Sequence, residues 1–230
     1  MARDLQLQIA GPLSGGRSRT RAVADDPATV IVIDDDRDVR ESLGRLLRSV
    51  SLQARLYGAV AEFLSAGRPD GPTCLVLDVR LPGQDGLDFQ RELSSASVQL
   101  PIVFITGHGD IAMSVQAMKG GAVEFLTKPF RDQDLLDAIR SGLDRDRGQR
   151  EKAKAVTEIQ ARFNTLTARE REVMALAVTG RLNKQIAAEI GISENTVKIH
   201  RGNVIRKMGA ASLVELALMA EKLKVSPGAQ

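Results

Sequence analysis

With 230 residues, 43% hydrophobic but only 3% aromatic, the chain can bury one or two cores built on Leu, Val, Ile and Ala. No apolar run approaches the roughly 18 residues a bilayer span requires, and residues 1–26 lack the apolar centre of a secretory signal, so a flexible N-terminal extension and a cytoplasmic chain are expected. Net charge is +3 but unevenly divided: residues 27–146 carry 13 Lys/Arg against 18 Asp/Glu, a balance of −5, and residues 162–224 carry 11 against 6, a balance of +5. An acidic half joined to a basic half suggests metal or phosphate chemistry coupled to nucleic-acid binding.

From Thr29 onward, short β-branched runs alternate with helical periodicity. A strand at 30–33 precedes a helix marked by Val39, Leu43, Leu46 and Leu47, and a weaker strand at 53–56 precedes a helix with Val60, Phe63 and Leu64. The run at 74–77 contains Cys74, the single cysteine, which has no internal disulfide partner and packs as a small hydrophobe. A Pro-Gly loop (Leu81, Pro82, Gly83) and a helix at 86–93 follow. Strands at 102–105 and 123–126 each lead into a helix, at 111–118 and 133–143. Five strands alternating with five helices predict an α/β domain over 27–143, a parallel, doubly wound five-stranded sheet. Met113 and Met118 are expected to pack.

Each of four strands ends on chemically active groups: Asp34 and Asp35, Asp78, Thr106, and Lys128. Parallel α/β sheets place their ligands at that edge. Converging carboxylates repel unless a cation neutralises them, and Mg²⁺, with Mn²⁺ as the alternate, accepts carboxylates while keeping positions for water and phosphate. One aspartate can then attack a phosphoryl group. Asp78, at the end of the central strand, is assigned as that nucleophile. Asp35 is the direct metal ligand, Asp34 a water-mediated one, and the Arg80 backbone carbonyl a further ligand; Thr106 and Lys128 meet the phosphoryl oxygens. Asp36 reads as a solvated or helix-capping residue, and His108, between two glycines, as exposed.

Residues 144–161 are mostly charged or small and read as a helical linker, with Gly142 and Gly148 as hinge points. An all-α domain follows over 162–224, with a short tail at 225–230. Thr167 and Glu170 form a capping box for a helix that ends at Gly180. A short helix at 183–190 stops at Gly191; Ser193 caps a helix at 194–208 and Ser212 one at 213–223. A short helix, a turn and a basic helix make a helix-turn-helix, whose second helix enters the major groove of double-stranded DNA. On that helix Lys198, His200, Arg201, Arg206 and Lys207 supply charge, and Val197, Val204, Ile205 and Met208 face the core.

The motifs Val32-Ile33-Asp34-Asp35-Asp36, Leu77-Asp78-Val79-Arg80-Leu81-Pro82, Ile105-Thr106-Gly107-His108 and Lys128-Pro129-Phe130 resemble the receiver domain of two-component response regulators, a CheY-like fold. The resemblance implies phosphorylation of Asp78 by a sensor histidine kinase, a cis Lys128–Pro129 bond, and a switch pair, Thr106 and Phe125, that reshapes the fourth helix and fifth strand. Phe125 as ordinary core is the competing account. The segments around Thr167–Glu170, Asn183–Ala187 and Ser193–His200 resemble a LuxR-type DNA-binding domain, and the whole of 29–223 resembles a NarL/FixJ-type regulator, nearer its FixJ-like members. Expected partners are the kinase, promoter DNA, a second copy of the chain, and RNA polymerase; no membrane is expected. Lys184 and Thr196 are implied phosphate contacts, and Lys198 and Ile199 face the groove. The third groove position falls on Gly202, which has no side chain, so Arg201 or Asn203 substitutes; Arg206 completes the set. Leu213, Leu216, Ala217 and Ala220 form either a dimer seam or one-sided core packing.

Two other functions compete. In a haloacid-dehalogenase-type phosphohydrolase, Asp34 of the Asp34-Asp35-Asp36 run is the nucleophile, but Asp38 then stands where Thr or Val is usual and Asp78 has no role. In a phosphorylation-independent DNA binder, the receiver serves dimerisation alone. The leading expectation is a regulator that catalyses only its own phosphoryl transfer and dephosphorylation.

Overall fold

The computed structural model describes residues 27–225; the expected N-terminal extension and all of the tail but Val225 lie outside the described residues. The chain divides into two compact units between Arg150 and Glu151.

The first unit is built on five parallel strands: β1 Thr29–Ile33, β2 Gln53–Tyr57, β3 Thr73–Asp78, β4 Ile102–Thr106 and β5 Glu124–Thr127, in the order β2-β1-β3-β4-β5. Helices α1 Arg37–Ser49, α2 Val60–Ala66, α3 Gly86–Ser95, α4 Ile111–Lys119 and the part of α5 (Asp132–Asn164) up to Arg150 complete it, with a two-residue ribbon pairing Arg80 with Asp85; the rest of α5 belongs to the second unit. This is the doubly wound fold expected from the alternation of elements. Val30 and Val32 belong to one hydrophobic cluster with Leu43, Leu47, Leu135 and Ile139. Ile31 and Ile33 belong to the opposite cluster with Phe63, Phe89 and Phe104. Burial on both faces is why the central strands read as continuous apolar runs instead of alternating ones.

Register sets the active edge. Ile33 pairs with Leu77 across β1 and β3, so Asp34 and Asp78 emerge side by side. The chain turns outward to β2 on one side of β1 and to β4 on the other side of β3, which makes the β1/β3 boundary the topological switch point where such sheets bind ligands.

Helix α5 is uninterrupted over 33 residues and includes the segment 144–161. Gly142 and Gly148 are therefore not breaks, and at Gly142 the expectation of a hinge is corrected. A Cβ there would stand 2.5 Å from the Cys74 sulfur, so the glycine permits close helix–strand packing. Burial pushes the Cys74 thiol up to about 12. Asp146, 1% exposed, accepts from Arg68, from the Thr73 N–H at 2.8 Å and from Arg150 Nε at 2.8 Å, so its buried charge is paired. Met113 packs on the core, but Met118 is 44% exposed and does not pack as expected.

The second unit contains α6 Ala168–Ala177, α7 Asn183–Ile190, α8 Glu194–Met208 and α9 Leu213–Lys222. Thr167 and Glu170 form the capping box, and the buried Glu170 carboxylate also accepts from Lys207 at 2.6 Å. Those bonds hold the Glu170 carboxyl below the usual carboxylate range, Lys207 contributing most. Ser193 and Ser212 cap α8 and α9 through the N–H groups of Thr196 and Glu215, and Gly191 and Gly209 end α7 and α8 in the left-handed conformation that favours glycine.

Candidate functional site

Asp34, Asp35 and Asp78 each offer a carboxylate oxygen within 4.8 Å of the others. Asp34 is fully buried, Asp78 nearly so, and Asp35 exposed. Asp34 is held from both sides: Oδ1 accepts the Asp36 N–H at 2.9 Å and Oδ2 accepts the Lys128 ammonium at 2.6 Å. Asp78 is held likewise, Oδ1 by the Arg80 N–H at 3.0 Å and Oδ2 by the same ammonium at 2.8 Å. Burial pushes the Asp34 carboxyl above its ordinary range, against the pull of Lys128 and the Asp36 N–H. Burial alone would lower Lys128; its bonds to Asp34 and Asp78 outweigh that and raise it. Asp36 caps α1, accepting from the N–H groups of Asp38 and Val39. Three hard carboxylate donors with one face open to solvent suit Mg²⁺ or Mn²⁺ and disfavour softer thiophilic metals.

Thr106, at the end of β4, is 1% exposed, and its Oγ1 accepts the His108 N–H at 3.2 Å. The Lys128 N–H donates to the Thr106 carbonyl at 2.7 Å, tying the two strand ends together, and the Lys128–Pro129 bond is cis. Phe125 is half-buried with its ring 6.3 Å from that of Phe104. A Cβ at Gly109 would come within 2.9 Å of Phe125 and 3.0 Å of the Thr106 methyl. Gly109 therefore allows the loop to lie close over both residues, a requirement not legible from its place beside His108. His108 is exposed.

In the second unit, Lys184, Lys198 and Arg206 are exposed, and Ile199 is 56% exposed. These side chains project from the outside of α7 and α8. Asn195, absent from the sequence-based set, is exposed on the same α8 face, one turn before Ile199. Thr196 is half-buried with its hydroxyl 2.8 Å from that of Ser193, and Asn203 accepts from Arg206 at 3.3 Å. Two of the basic residues of α8 are engaged within the domain. Lys207 is bound to Glu170 and is not a free surface charge. Arg201 does not join the exposed face: it is half-buried and donates to Asn183 Oδ1 at 2.7 Å.

Of the two readings of α9, the burial fits one-sided core packing. Leu216 and Ala220 are buried, Leu213 is half-buried against the same core, and Ala217 is half-buried. The exposed apolar residues of that helix are Val214 (71%) and Leu218 (55%), one turn apart.

Residues 30–140 match the model of the response regulator receiver domain, and residues 164–220 that of bacterial regulatory proteins, luxR family. Nodulation protein W of Bradyrhizobium diazoefficiens is 53% identical over 203 residues, covering 88% of this chain and 89% of that protein. Response regulator protein TodT of Pseudomonas putida is 44% identical, covering 90% and 91%. The solved structure of response regulator StyR superposes with a TM-score of 0.75 at 46% identity, covering 85% of this chain and 99% of that one.

Proposed function

The chain belongs to the two-component response regulators that join a receiver to a LuxR-type DNA-binding domain, and we propose that its DNA binding is switched by phosphorylation of Asp78. The observation that carries this reading is the Lys128 ammonium held between Asp34 and Asp78, beside the buried Thr106 hydroxyl. In transfer from a sensor histidine kinase, an Asp78 carboxylate oxygen forms the new bond to phosphorus. The phosphorus–nitrogen bond of the phosphohistidine breaks, and its electron pair returns to the imidazole. Asp34, Asp35, Asp78 and the Arg80 carbonyl would hold Mg²⁺, which neutralises phosphoryl charge when bound. Lys128 stays in place as the fixed cation, and Thr106 donates its hydroxyl to a phosphoryl oxygen. The same groups position water when the acyl phosphate hydrolyses.

The Thr106 hydroxyl moves toward the phosphoryl group, and the ring of Phe125 turns inward into the space it leaves. This alters the face of α4 and β5, where Ile111 (84% exposed), Val115 and Met118 form an apolar surface suited to a second copy of the chain. Val214, Ala217 and Leu218 on α9 supply a second self-contact. In the dimer, two copies of α8 meet half-sites about one helical turn apart, with Lys184, Thr196 and Arg206 on phosphates and Lys198, Ile199, Asn195 and Asn203 toward base edges. The chain acts in the cytoplasm with promoter DNA and RNA polymerase.

Gel shift with and without beryllofluoride tests the switch. Wild type is expected to bind DNA more tightly with the phosphate mimic and Asp78→Ala to be unresponsive. Equal binding by both proteins under both conditions would refute phosphorylation control. Acetyl phosphate labelling followed by peptide mapping is expected to mark Asp78; a label on Asp34 would favour the phosphohydrolase.

A further inference from the structure

The buried residues of α8 are Val197, Val204 and Met208, spaced so that they line one stripe of the helix. Arg201 falls in that stripe, four residues after Val197 and three before Val204. A helix has 3.6 residues per turn, so Arg201 lies within about 40° of the centre of the buried face. Ile199 and Arg206, by contrast, lie on the opposite side. An arginine among Val, Val and Met must bury its stem and find a partner for its charge. It borders a narrow crevice with Val173, Ala177 and Leu213, and its Nη1 donates to Asn183 Oδ1 at 2.7 Å. Asn183 is the first residue of α7, whose N-cap residue Leu182 has no polar side chain, so that only Gln185 Oε1, accepting the Leu182 N–H at 2.9 Å, closes the helix start. The turn at Gly191–Ser193 joins α7 to α8 at their near ends, so the Arg201–Asn183 bond ties the start of α7 to the middle of α8.

We infer that Arg201 is a positioning residue: its bond to Asn183 sets the angle between the two helices of the DNA-binding motif, and its guanidinium contacts no phosphate or base. This rests on α8 being the helix that meets DNA. Two helices joined by a short turn can splay, and a charge-assisted bond at the far side of their contact limits that motion. A small change of angle moves Lys198 and Ile199 relative to Lys184, so the loss appears in affinity without loss of any contacting charge.

Salt dependence separates a positioning residue from a contact. Loss of one phosphate contact lowers the slope of log affinity against log salt by about one, whereas loss of alignment leaves the number of neutralised phosphates nearly unchanged. The experiment uses the full chain with beryllofluoride and a duplex recovered by selection from a random pool with the wild-type protein. Arg201→Ala and Asn183→Ala are each expected to weaken binding roughly tenfold, and the double variant no further. The salt slope should match wild type, and Asn183→Asp, which keeps the acceptor, should restore affinity. Arg206→Ala, run in parallel, should lower the slope by about one. A lowered slope for Arg201→Ala with wild-type binding by Asn183→Ala, or additive losses, would overturn the inference. An unchanged slope for Arg206→Ala would count instead against the assignment of the outer α8 face. Circular dichroism melts of the same samples ensure that affinities are compared among folded proteins.

Discussion

The Lys128 ammonium stands 2.8 Å from Oδ2 of Asp78, while the Arg80 N–H takes the other carboxylate oxygen at 3.0 Å. The carboxylate is thus fixed at both oxygens. The same ammonium lies 2.6 Å from Asp34, so one cation offsets two anions.

Lys128→Ala leaves two neighbouring carboxylates without their shared cation. Because the site is partly open to solvent, the cost should fall below that of a fully buried pair, roughly 1–3 kcal/mol. The folded-state pKa of Lys128 lies above its ordinary 10.5, so its contribution is fully present at neutral pH and is lost only as pH rises beyond that value. Mg²⁺ should raise the melting temperature of the variant more than that of wild type, since the metal replaces the missing charge. Thermal melts at pH 7 with and without Mg²⁺ measure both effects.

Asp34→Asn should do the opposite to stability. Burial raises the Asp34 carboxyl above its ordinary 3.8, so the folded state holds that proton more tightly than the unfolded state does. Stability therefore falls as pH rises from about 3.8 through the raised value, and the penalty persists at neutral pH. Without divalent metal at pH 7, the asparagine variant should melt a few degrees higher than wild type. That advantage should shrink as pH is lowered toward the ordinary aspartate range, and stabilisation by Mg²⁺ should be lost. A lower melting point at pH 7 would mean that pairing with Lys128 outweighs burial.

The edge that gathers Asp34, Asp78, Thr106 and Lys128 was legible because it follows from two local properties. Each residue ends an apolar run, and parallel strands bring such ends to one side. The identities that depend on which neighbour packs where were not legible. Lys207 and Arg206 are adjacent and both basic, yet only Lys207 meets the buried Glu170. On α9, Leu216 and Val214 are both apolar, and their fates separate only once the helix has a core to face. At Arg201 two local signals diverge: its spacing from Val197 and Val204 puts it in the buried stripe, whereas its charge suits an exposed face.

Gly86→Ala should disturb the proposed phosphorylation site at Asp78 without touching any of its side chains. A Cβ there would lie 2.6 Å from the Asp78 carbonyl oxygen and 3.1 Å from Val79 Cα, both backbone atoms that cannot rotate away. The end of β3 must shift, at a cost of roughly 1–3 kcal/mol. Asp78 should then be labelled more slowly by acetyl phosphate, even at temperatures where the variant is fully folded. Mass spectrometry of the labelled protein measures the rate, and wild-type labelling would show that the strand end relaxes without moving the carboxylate.

Gly142 and Gly148 stand in the same helix, so a common substitution separates packing from propensity. At Gly148 an added Cβ meets nothing within 4 Å, and Gly148→Ala should gain up to about 1 kcal/mol from helix propensity alone. At Gly142 the added Cβ would be 2.5 Å from the Cys74 sulfur and 3.4 Å from its Cβ, inside a fully buried contact. Overpacking should outweigh propensity there and cost roughly 1–3 kcal/mol. Cys74→Ala removes the obstructing sulfur and alone leaves a small cavity. In the double variant the new methyl fills the space the sulfur vacated, so the two losses should not add. Chemical denaturation of the four proteins gives the coupling directly. Additive losses would mean that α5 moves away from β3 to accommodate Gly142→Ala, so that the sulfur is not what the glycine accommodates.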